Sequence, residues 1–373
     1  MPKQSEQTTC YVKAFRQERG WSQDQLAEMI GVRRQAIYDI ESGRYLPNTG
    51  VALRLARQFG CRVEDLFVAD QGVADQSITM VHDHWTAPSR VCVASIRGRL
   101  MGFSLDGRRS LSDSLRPADG VLSPDGKHVQ LFSAAHSIDK TILLMGCDPA
   151  FDIFSSHVTR YAPEARLLCR FASSNLALKK LAAGHTHMAG THLHNSEADK
   201  EANVQRAKEL MTGGHARVVG FSMIEEGLVV ARGNPLAIRS VADLADPNVR
   251  FVNRERGAAL RLLLDDHLQR EGVAVSSING YDRIAFSHAQ AAQQVAMTGA
   301  DASLGLRALA MAFDLDFISL ATVRCDLVIP TDLLEHPTLN IVLEVLQSAP
   351  FRNEMASLPG YSTDALGKVI AEF

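Results

Sequence analysis

Apolar positions in the first seventy residues recur at helical spacing and are interrupted at short intervals. Leu26, Ala27 and Ile30 share one helical face, and Ile37 and Ile40 form a matching face in the next segment. Helix-stopping residues separate the segments, namely Gly20, Gly31, the Ser42-Gly43 pair, Pro47 and Gly60. The pattern therefore predicts five short helices between Tyr11 and Phe67.

The apolar pattern changes after residue 80. Between Val81 and Ser133, short alternating runs are separated by turn residues such as Asp106-Gly107, which predicts a small strand-rich segment. From Lys140 onward, apolar strand candidates alternate with helical stretches, the order of an α/β domain with mostly parallel sheets. The strand candidates are residues 141–145, 167–171, 218–222, 228–231, 250–252 and 317–320.

A polar stretch at residues 70–77 interrupts the periodicity and marks a domain boundary. We expect a helical domain over residues 8–69, a linker over 70–80, the strand-rich segment over 81–136 and a larger domain over 137–373. The predicted fold class is multidomain, with an all-α domain followed by an α/β domain that carries a small strand-rich insert.

Composition places the chain among globular proteins, with 46% hydrophobic and 22% charged residues. The first residues are polar, and no apolar stretch approaches the ~20 residues that span a bilayer. The six cysteines are dispersed without Cys-x-x-Cys spacing, which argues against a zinc ribbon or a disulfide framework. We therefore expect a cytoplasmic protein with reduced thiols and no membrane partner.

Charge is distributed unevenly along the chain. The net charge is -3, yet the segment from Lys13 to Arg62 holds nine Lys or Arg against five Asp or Glu. That segment is net +4, which leaves -7 for the remainder. Attraction to phosphates is therefore expected at the helical domain.

The second and third predicted helices have the residues of a DNA reader. Ser22 and Gln25 form a capping-box pair, so a helix should begin at Gln23. On the next helix Arg34, Gln35 and Tyr38 point away from the apolar face. Arg can bond guanine bidentately, Gln can bond adenine, and Tyr can reach a phosphate or a thymine methyl.

The segment from Phe15 to Phe67 resembles the lambda-repressor-like, xenobiotic-response-element family of helix-turn-helix domains. The matching motifs are Arg16-Gln17-Glu18-Arg19-Gly20-Trp21-Ser22-Gln23, Leu26-Ala27, Gly31-Val32, Ile40-Glu41-Ser42-Gly43-Arg44 and Pro47. The resemblance implies DNA binding, with Gln23 on a phosphate. Arg33 departs from the usual Ser or Thr cap, which costs about 1 kcal/mol but adds a cation near the phosphates.

The predicted DNA-binding residues are Gln23, Arg33, Arg34, Gln35, Tyr38 and Arg44. The alternative for this domain is a small helical protein-interaction module whose charged outer face is merely solvated.

Several strand candidates in the larger domain end at short polar or glycine-containing loops, where α/β folds gather ligands. Hydroxyls, backbone N–H groups and arginines in these loops suit a small anion, although any single loop could serve only as a helix cap. The candidate ligand-binding residues are Cys147, Asp148, Ser173, Ser174, Thr191, His192, Asn253, Arg254, Arg256, Gly257, Ser287 and His288.

Residues 143–330 resemble the periplasmic-binding-protein-like domain that follows helix-turn-helix domains and is also attached to molybdopterin-biosynthesis proteins. The motifs include Gly146-Cys147-Asp148-Pro149-Ala150, Ala189-Gly190-Thr191-His192-Leu193, Ala231-Arg232-Gly233-Asn234-Pro235, Asn253-Arg254-Glu255-Arg256-Gly257 and Asp326-Leu327-Val328-Ile329-Pro330. The resemblance implies two α/β lobes joined by two crossing strands, expected at 228–231 and 317–320, with a second lobe over about 232–316.

The same resemblance places the ligand in the cleft between the lobes. It implies a molybdate-like or tungstate-like oxyanion, whereas Arg254, Arg256 and His288 equally suit an organic carboxylate, so both classes stay open. One departure is Ala258-Ala259-Leu260 before Arg261, where the family carries small and hydroxyl residues.

A histidine-rich run, from His185 to His194, raises a second possibility for the larger domain. Imidazole suits zinc, copper or nickel, so a transition-metal sensor is an alternative. No carboxylate or Cys completes an obvious tetrahedral set near the run, and we assign no metal site and no cofactor.

Enzymatic motifs are absent from the sequence. It contains no nucleophile elbow, Walker loop, full Gly-x-Gly-x-x-Gly after a strand or zinc-protease helix. The adjacent acids Glu225 and Glu226 would face opposite sides of a strand, which disfavours acid-base pairing. We expect a regulator, not an enzyme, that binds duplex DNA as a homodimer or higher homo-oligomer and senses a small anion. The alternative is a regulator whose larger domain only oligomerises or senses a metal.

Overall fold

The computed structural model describes residues 7–70, 76–81, 89–106, 116–132, 136–193 and 201–373. The chain divides into two compact units after Gln76. Each unit has its own buried apolar core, as expected for a chain of this length.

The N-terminal unit contains the five helices that the sequence predicts. They are α1 (Val12–Glu18), α2 (Gln23–Ile30), α3 (Arg34–Glu41), α4 (Thr49–Phe59) and α5 (Val63–Leu66). Strands β1 (Gln7–Cys10) and β2 (Phe67–Asp70) pair antiparallel and bring the two ends of the unit together. The sequence pattern missed this pair because each strand is four residues long and its partner lies about sixty residues away.

The second unit begins with a six-stranded sheet in the spatial order β3-β8-β7-β5-β6-β4. Its strands are β3 (Gln76–Ser77), β4 (Thr79–Met80), β5 (Ser89–Ile96), β6 (Arg99–Ser104), β7 (Gly120–Leu122) and β8 (His128–Leu131). This sheet is the expected strand-rich segment, but β3 and β4 lie in the stretch that we expected to be linker. They pair with strands far along the chain, which a local pattern does not reveal.

The remainder of the second unit is an α/β fold. Its helices are α6 (His136–Asp139), α7 (Phe151–Tyr161), α8 (Ser174–Ala182), α9 (Ala202–Leu210), α10 (Ala259–Arg270), α11 (His288–Ala296), α12 (Arg307–Ala312), α13 (Pro337–Gln347) and α14 (Ala349–Ser357). Its strands are β9 (Thr141–Gly146), β10 (Arg166–Phe171), β11 (Met188–Thr191), β12 (Ala216–Val230), β13 (Phe251–Arg254), β14 (Ile284–Ala285), β15 (Ala302–Leu306), β16 (Asp316–Pro330), β17 (Tyr361–Ser362) and β18 (Val369–Glu372).

Two long antiparallel strands, β12 and β16, connect two lobes. The sheet order is β10-β9-β11-β16-β12-β15-β13-β14, so β9, β10 and β11 belong to the first lobe and β13, β14 and β15 to the second. The chain between β12 and β16 forms the second lobe, whose core includes Leu228, Phe251 and Leu263. The separate strand candidates 218–222 and 228–231 both lie in β12, which ends one residue before the second candidate does.

The six-stranded sheet shares a core with the first lobe. Phe103 and Ile96 pack in one cluster with Leu143 and Leu178. Arg166 donates bidentately to Asp119 at 2.6 and 2.9 Å and also reaches the carbonyl of Val93. The sheet is therefore anchored to the lobe by both apolar and charged contacts.

Candidate functional site

The turn between α2 and α3 forms as the sequence predicts. Ser22 Oγ accepts from the Gln25 backbone N–H at 3.1 Å, and Gln25 Oε1 accepts from the Ser22 N–H at 2.7 Å. Gly31 ends α2 with φ of +68°, in the left-handed region that favours glycine. This geometry confirms the predicted capping box and the start of α2 at Gln23.

Helix α3 presents a polar face to solvent. Arg34, Gln35 and Tyr38 are exposed, whereas Ile37 and Ile40 are buried in the core of the unit. Arg33 and Arg44 are also exposed, and the Arg44 guanidinium lies 5.5 Å from the centre of the Tyr38 ring. Arg33 makes no side-chain cap to α3, in line with its departure from the usual cap.

Gln23 is held by a buried ion pair. Its Nε2 donates to Glu41 Oε2 at 2.9 Å, and Arg16 donates to both Glu41 oxygens at 2.6 and 3.0 Å. Burial acts to raise the pKa of Glu41, but the hydrogen bonds from Arg16 and Gln23 outweigh it and lower the pKa. The Gln23 amide is thereby oriented before any DNA is present.

In the larger unit, four buried polar residues follow the ends of strands. Cys147 follows β9 and His192 follows β11 in the first lobe. Arg254 ends β13 and His288 begins α11 in the second lobe. All four are buried, with exposed fractions of 8%, 2%, 2% and 3% in that order. The structure therefore brings sequence candidates from both lobes to one place.

Close backbone packing brings the ends of β9 and β11 together. A Cβ at Gly146 would lie 2.5 Å from the Phe151 ring and 3.1 Å from Gly190 Cα. A Cβ at Gly190 would lie 2.4 Å from the same ring. Only glycine fits at both positions, and this approach sets the distance between the loops that carry Cys147 and His192.

Cys147, His192 and Glu226 form a hydrogen-bonded chain. Cys147 Sγ lies 2.7 Å from His192 Nε2, and His192 Nδ1 lies 2.8 Å from Glu226 Oε1. Burial acts to lower the pKa of His192, but the neighbouring Cys147 and Glu226 outweigh it and raise the pKa well above its ordinary value. His192 Nδ1 is thus a donor to the carboxylate, and Nε2 faces the sulfur.

Arg254 and His288 form the matching pair from the second lobe. Arg254 Nη1 lies 2.9 Å from His288 Nδ1. Burial and the charge of Arg254 hold the pKa of His288 well below its ordinary value, so its ring is neutral. Because guanidinium can only donate, Nδ1 accepts and the ring proton is on Nε2.

Two cavities meet at Cys147 and His288. The larger cavity, of about 200 Å³, lies between the lobes and is lined by Arg116, Arg170, Phe171, Phe286, Ser287 and Leu309, among others. The smaller one, of about 10 Å³, is also lined by Ser173, Ser174, His192 and Arg254. Asp148, another sequence candidate, lines the larger cavity.

The remaining sequence candidates have other surroundings. Thr191 and Asn253 are buried. The Thr191 hydroxyl donates to the Asn203 side chain, and the Asn253 side chain donates to the Tyr281 carbonyl. Arg256 and Gly257 are exposed and line neither cavity. These four residues lie in or just after the same strands as residues of the cleft. Two of them are engaged in hydrogen bonds within the protein, and two are exposed outside both cavities.

Three residues that sequence reasoning did not select belong to the site. Glu226 is fully buried beside His192, and Arg116 and Arg170 line the larger cavity. Glu225 and Glu226 do face opposite sides, since Glu225 bonds Arg307. A carboxylate inside an apolar strand was the available signal for Glu226, because such a group needs a buried partner.

The histidine-rich run does not assemble as a unit in the described residues. His187 accepts from the Leu143 N–H and contacts the Ser95 carbonyl, while His192 joins Cys147. His194 lies outside the described residues. The sequence showed no Cys next to this run, but the fold places Cys147 beside His192.

Among the helices of the described ranges, none combines the length and apolar character that crossing a bilayer requires.

Comparison with known families assigns both units. Residues 12–66 match a helix-turn-helix family, and residues 155–347 match the PBP superfamily domain. The protein YvgK of Bacillus subtilis (strain 168) is 31% identical over 276 residues, covering 74% of this chain and 88% of that protein. An HTH-type transcriptional regulator of Archaeoglobus fulgidus is 42% identical over 59 residues, covering 16% of this chain and 84% of that protein.

Solved structures are similar to this chain at low sequence identity. A phosphate ABC transporter substrate-binding protein from Clostridium perfringens has a TM-score of 0.45 and 10% identity, covering 58% of this chain and 96% of that chain. The sulfate-binding protein SubI from Mycobacterium tuberculosis H37Rv has a TM-score of 0.43 and 12% identity, covering 59% and 86%. Similarity at this level supports no argument about fold or ligand. A DNA-binding helix-turn-helix domain of the kind found in transcription regulators precedes the larger domain. The chain as a whole belongs to the family defined by the PBP superfamily domain.

Proposed function

We propose that this protein is a homodimeric transcription regulator that senses a small organic acid between its two lobes. Its DNA-reading residues are Gln23, Arg33, Arg34, Gln35, Tyr38 and Arg44. The two recognition helices would enter the major groove about one helical turn apart on one DNA face. The observation that carries the sensing part is the interlobe cavity with its cationic and apolar lining.

The charges around the cavity support an anionic ligand. Arg116 and the buried Arg170 line it, and the N-terminal end of α11, with Ser287 and His288, contributes the positive end of a helix dipole. Two carboxylates also line the cavity. The Asp148 oxygens accept from the Ser222 and Tyr361 hydroxyls, so their hydrogen-bonding needs are met within the protein, and Asp152 is exposed to solvent.

The apolar walls support an organic acid over a bare oxyanion. Phe151, Phe171, Phe286 and Leu309 line the same cavity. Ligand pockets with apolar walls and a few polar groups bind molecules that have both an apolar body and a charged end. A molybdate-like oxyanion, the class implied by the family resemblance, has no apolar surface for these side chains to cover.

Thermal melting of the full chain against a panel of ligands tests this choice. The panel contains small aliphatic and aromatic carboxylates together with phosphate, sulfate and molybdate. A ligand at 100 times its dissociation constant adds about 2.7 kcal/mol of stability, which a melting curve resolves. Stabilisation by a carboxylate and not by the oxyanions is expected, and the reverse would replace the organic acid with an oxyanion.

A matched pair of variants locates the binding. Arg170→Met removes the buried cation at the cavity and is expected to abolish the ligand-induced shift. Arg160→Ala removes an exposed cation near the end of α7 that lines neither cavity, and the shift should persist. Equal shifts in both variants would place the anion elsewhere.

Regulation requires that the ligand prefer one arrangement of the lobes. A ligand with equal affinity for the open and closed forms cannot shift the equilibrium. With such a preference, coupling of ~1 to 3 kcal/mol would change operator affinity by ~5- to 150-fold. Operator titrations with and without the ligand measure it. Equal affinities would leave a larger domain that only binds ligand or only oligomerises.

A further inference from the structure

Three buried side chains with metal-binding atoms meet where the two cavities join. Cys147, His192 and His288 each offer one ligand atom, and these atoms lie within 4.8 Å of one another. All three line the cavity of about 10 Å³, a space of atomic size. In the described ranges, this is the one group of three or more His, Cys, Asp or Glu residues with that proximity.

Two polar atoms around this group lack hydrogen-bond partners among the described residues. His288 Nε2 and Glu226 Oε2 are both buried and unpaired. Buried polar atoms in native proteins are nearly always bonded, so each such exception requires an explanation, and a bound ion is one of them. His288 Nε2 carries the ring proton in this arrangement, so it is a donor without an acceptor and can bind an ion only after that proton moves to Nδ1.

We propose that Cys147, His192 and His288 bind a zinc-type divalent ion, and that the ion's open position receives the anionic ligand. One sulfur and two imidazole nitrogens are the donors that zinc prefers. Three protein ligands leave the fourth tetrahedral position open, and the larger cavity is also lined by Cys147 and His288. The second half of this inference rests on the proposed function, whereas the metal site stands without it.

The required movement is small. Ligand atoms of a tetrahedral zinc site lie roughly 3.3 to 3.8 Å apart, given zinc bonds of about 2.0 to 2.3 Å. Cys147 Sγ and His192 Nε2, now 2.7 Å apart, would separate by about 1 Å, and pairs that lie up to 4.8 Å apart would approach by at most about 1.5 Å.

Glu226 is placed as a supporting residue for the ion. It accepts the Nδ1 proton of His192 at 2.8 Å, so the lone pair of Nε2 can face the ion. Carboxylates bonded to metal-binding histidines fix the ring and raise its basicity. The sequence showed Glu226 only as half of an acid pair, and this contact assigns it a positioning role.

The ion would also join the lobes. Cys147 and His192 belong to the first lobe, and His288 belongs to the second. Coordinate bonds to all three exist only when the lobes are close together, so the ion favours the closed form. This preference for one form is what a regulatory ligand needs.

Arg254 controls the third ligand. It donates to His288 Nδ1, which places the ring proton on Nε2. Coordination through Nε2 requires the proton to move to Nδ1 and Arg254 to withdraw. Cys147 binds as thiolate, so ion uptake releases on the order of one proton to solvent. The withdrawn guanidinium stays at the cavity as a cation for the anionic ligand.

Cobalt titration of the metal-free full chain tests the site, because Co²⁺ occupies zinc sites and is coloured. We expect one Co²⁺ per chain, an intense tetrahedral visible spectrum and a sulfur-to-cobalt absorption band, all abolished by one equivalent of Zn²⁺. Cys147→Ser should lose the sulfur band and at least ~100-fold in affinity. Cys61→Ser removes a thiol of the N-terminal unit and should change neither.

Two further variants separate ligation from folding. Cys147→His keeps a zinc ligand, so it should bind Zn²⁺ while the sulfur band disappears. Glu226→Gln should keep the band and lose ~10- to 100-fold in affinity. Absence of the sulfur band in the wild type, or an equal band in Cys147→Ser, would overturn the metal site.

The anion step has its own readout. Melting with the carboxylate panel is repeated with Zn²⁺ and with a chelator. A ligand shift that needs Zn²⁺ supports the open position. An equal melting shift in the presence of the chelator would support the proposed function and would show that the anion does not bind through the metal ion. Zinc binding without a melting shift from any anion would support the metal site and would contradict the proposed organic acid ligand.

Discussion

Helix α3, the proposed recognition helix, and the interlobe cleft position their candidate functional side chains in opposite ways. In α3, Arg34, Gln35 and Tyr38 lie on the exposed face of one eight-residue helix. In the cleft, the polar groups are buried and come from segments far apart, since His192 contacts Cys147 across 45 residues and Glu226 across 34. Exposed groups depend on local structure alone, whereas buried ones depend on the whole fold.

This difference has an energetic consequence. Replacement of an exposed side chain usually changes stability by less than about 0.5 kcal/mol. Loss of one partner from a buried pair leaves the other uncompensated and costs about 1 to 3 kcal/mol, and more for charges. We therefore expect substitutions on α3 to change DNA affinity without changing stability, and substitutions in the cleft to change both ligand binding and stability.

Glu41→Ala tests whether burial, and not the domain in which a residue lies, decides the energetic cost. Glu41 is a buried carboxylate in the N-terminal unit, the same unit that carries the exposed face of α3. Its loss leaves the Arg16 guanidinium without its carboxylate partner and the Gln23 amide without its acceptor. We expect the free energy of unfolding of the unit to fall by about 3 to 5 kcal/mol. Urea unfolding in a Trp85→Phe background, where Trp21 alone reports, measures this change. Glu28→Ala, an exposed acid on α2, is the control. A small effect at Glu41 would mean that burial does not govern the cost.

Arg34→Ala combined with Gln35→Ala tests the exposed face directly. Loss of both base contacts should cost about 3 kcal/mol, or ~150-fold in operator affinity, because a good bidentate pair discriminates by about 1 to 3 kcal/mol. The unfolding free energy should stay unchanged. Arg57→Ala, an exposed residue of α4, is the control in the same operator titration. Undiminished affinity in the double variant would exclude α3 as the reader.

His187 offers a pH test for the buried region. Burial lowers its pKa to about 4, below the ordinary 6.5, so the folded state favours the neutral ring. The stabilisation is complete above pH 6.5 and is lost as pH falls toward 4, with about 2 kcal/mol lost by pH 5. Protonation removes the Nδ1 acceptor for the Leu143 N–H.

Urea unfolding of wild type and His187→Gln between pH 7 and 5 isolates this contribution. The difference between their slopes belongs to His187, since the other titrating groups are common to both proteins. Parallel pH profiles would show that this ring does not couple stability to pH.

Arg254 and Arg256 sharpen the contrast within a single loop. Arg254 is buried at the smaller cavity, and Arg256 is exposed and lines neither cavity. Arg256→Ala should change stability by less than about 0.5 kcal/mol and leave the ligand-induced melting shift intact. If Arg256→Ala abolished the ligand-induced melting shift, Arg256 would belong to the ligand site after all. Its loop would then have to close over the cavity.

Sequence patterns were sufficient wherever the determining contacts are local. The capping box joins residues three apart, and the apolar faces of α2 and α3 repeat within one helix, so both could be read directly. The candidates at strand ends were also local inferences. Several of them do meet at the cleft, because parallel strands present their carboxyl ends at one edge.

The tertiary structure alone decided which of these residues act together. Glu225 and Glu226 interrupt the apolar pattern and hide that β12 is one strand, and only the fold supplies the His192 partner that makes a buried Glu226 tolerable. The pairings of Cys147 with His192, of Arg254 with His288 and of β1 with β2 likewise join distant segments. Sequence periodicity reports contacts within an element, whereas these contacts depend on the packing of elements against one another.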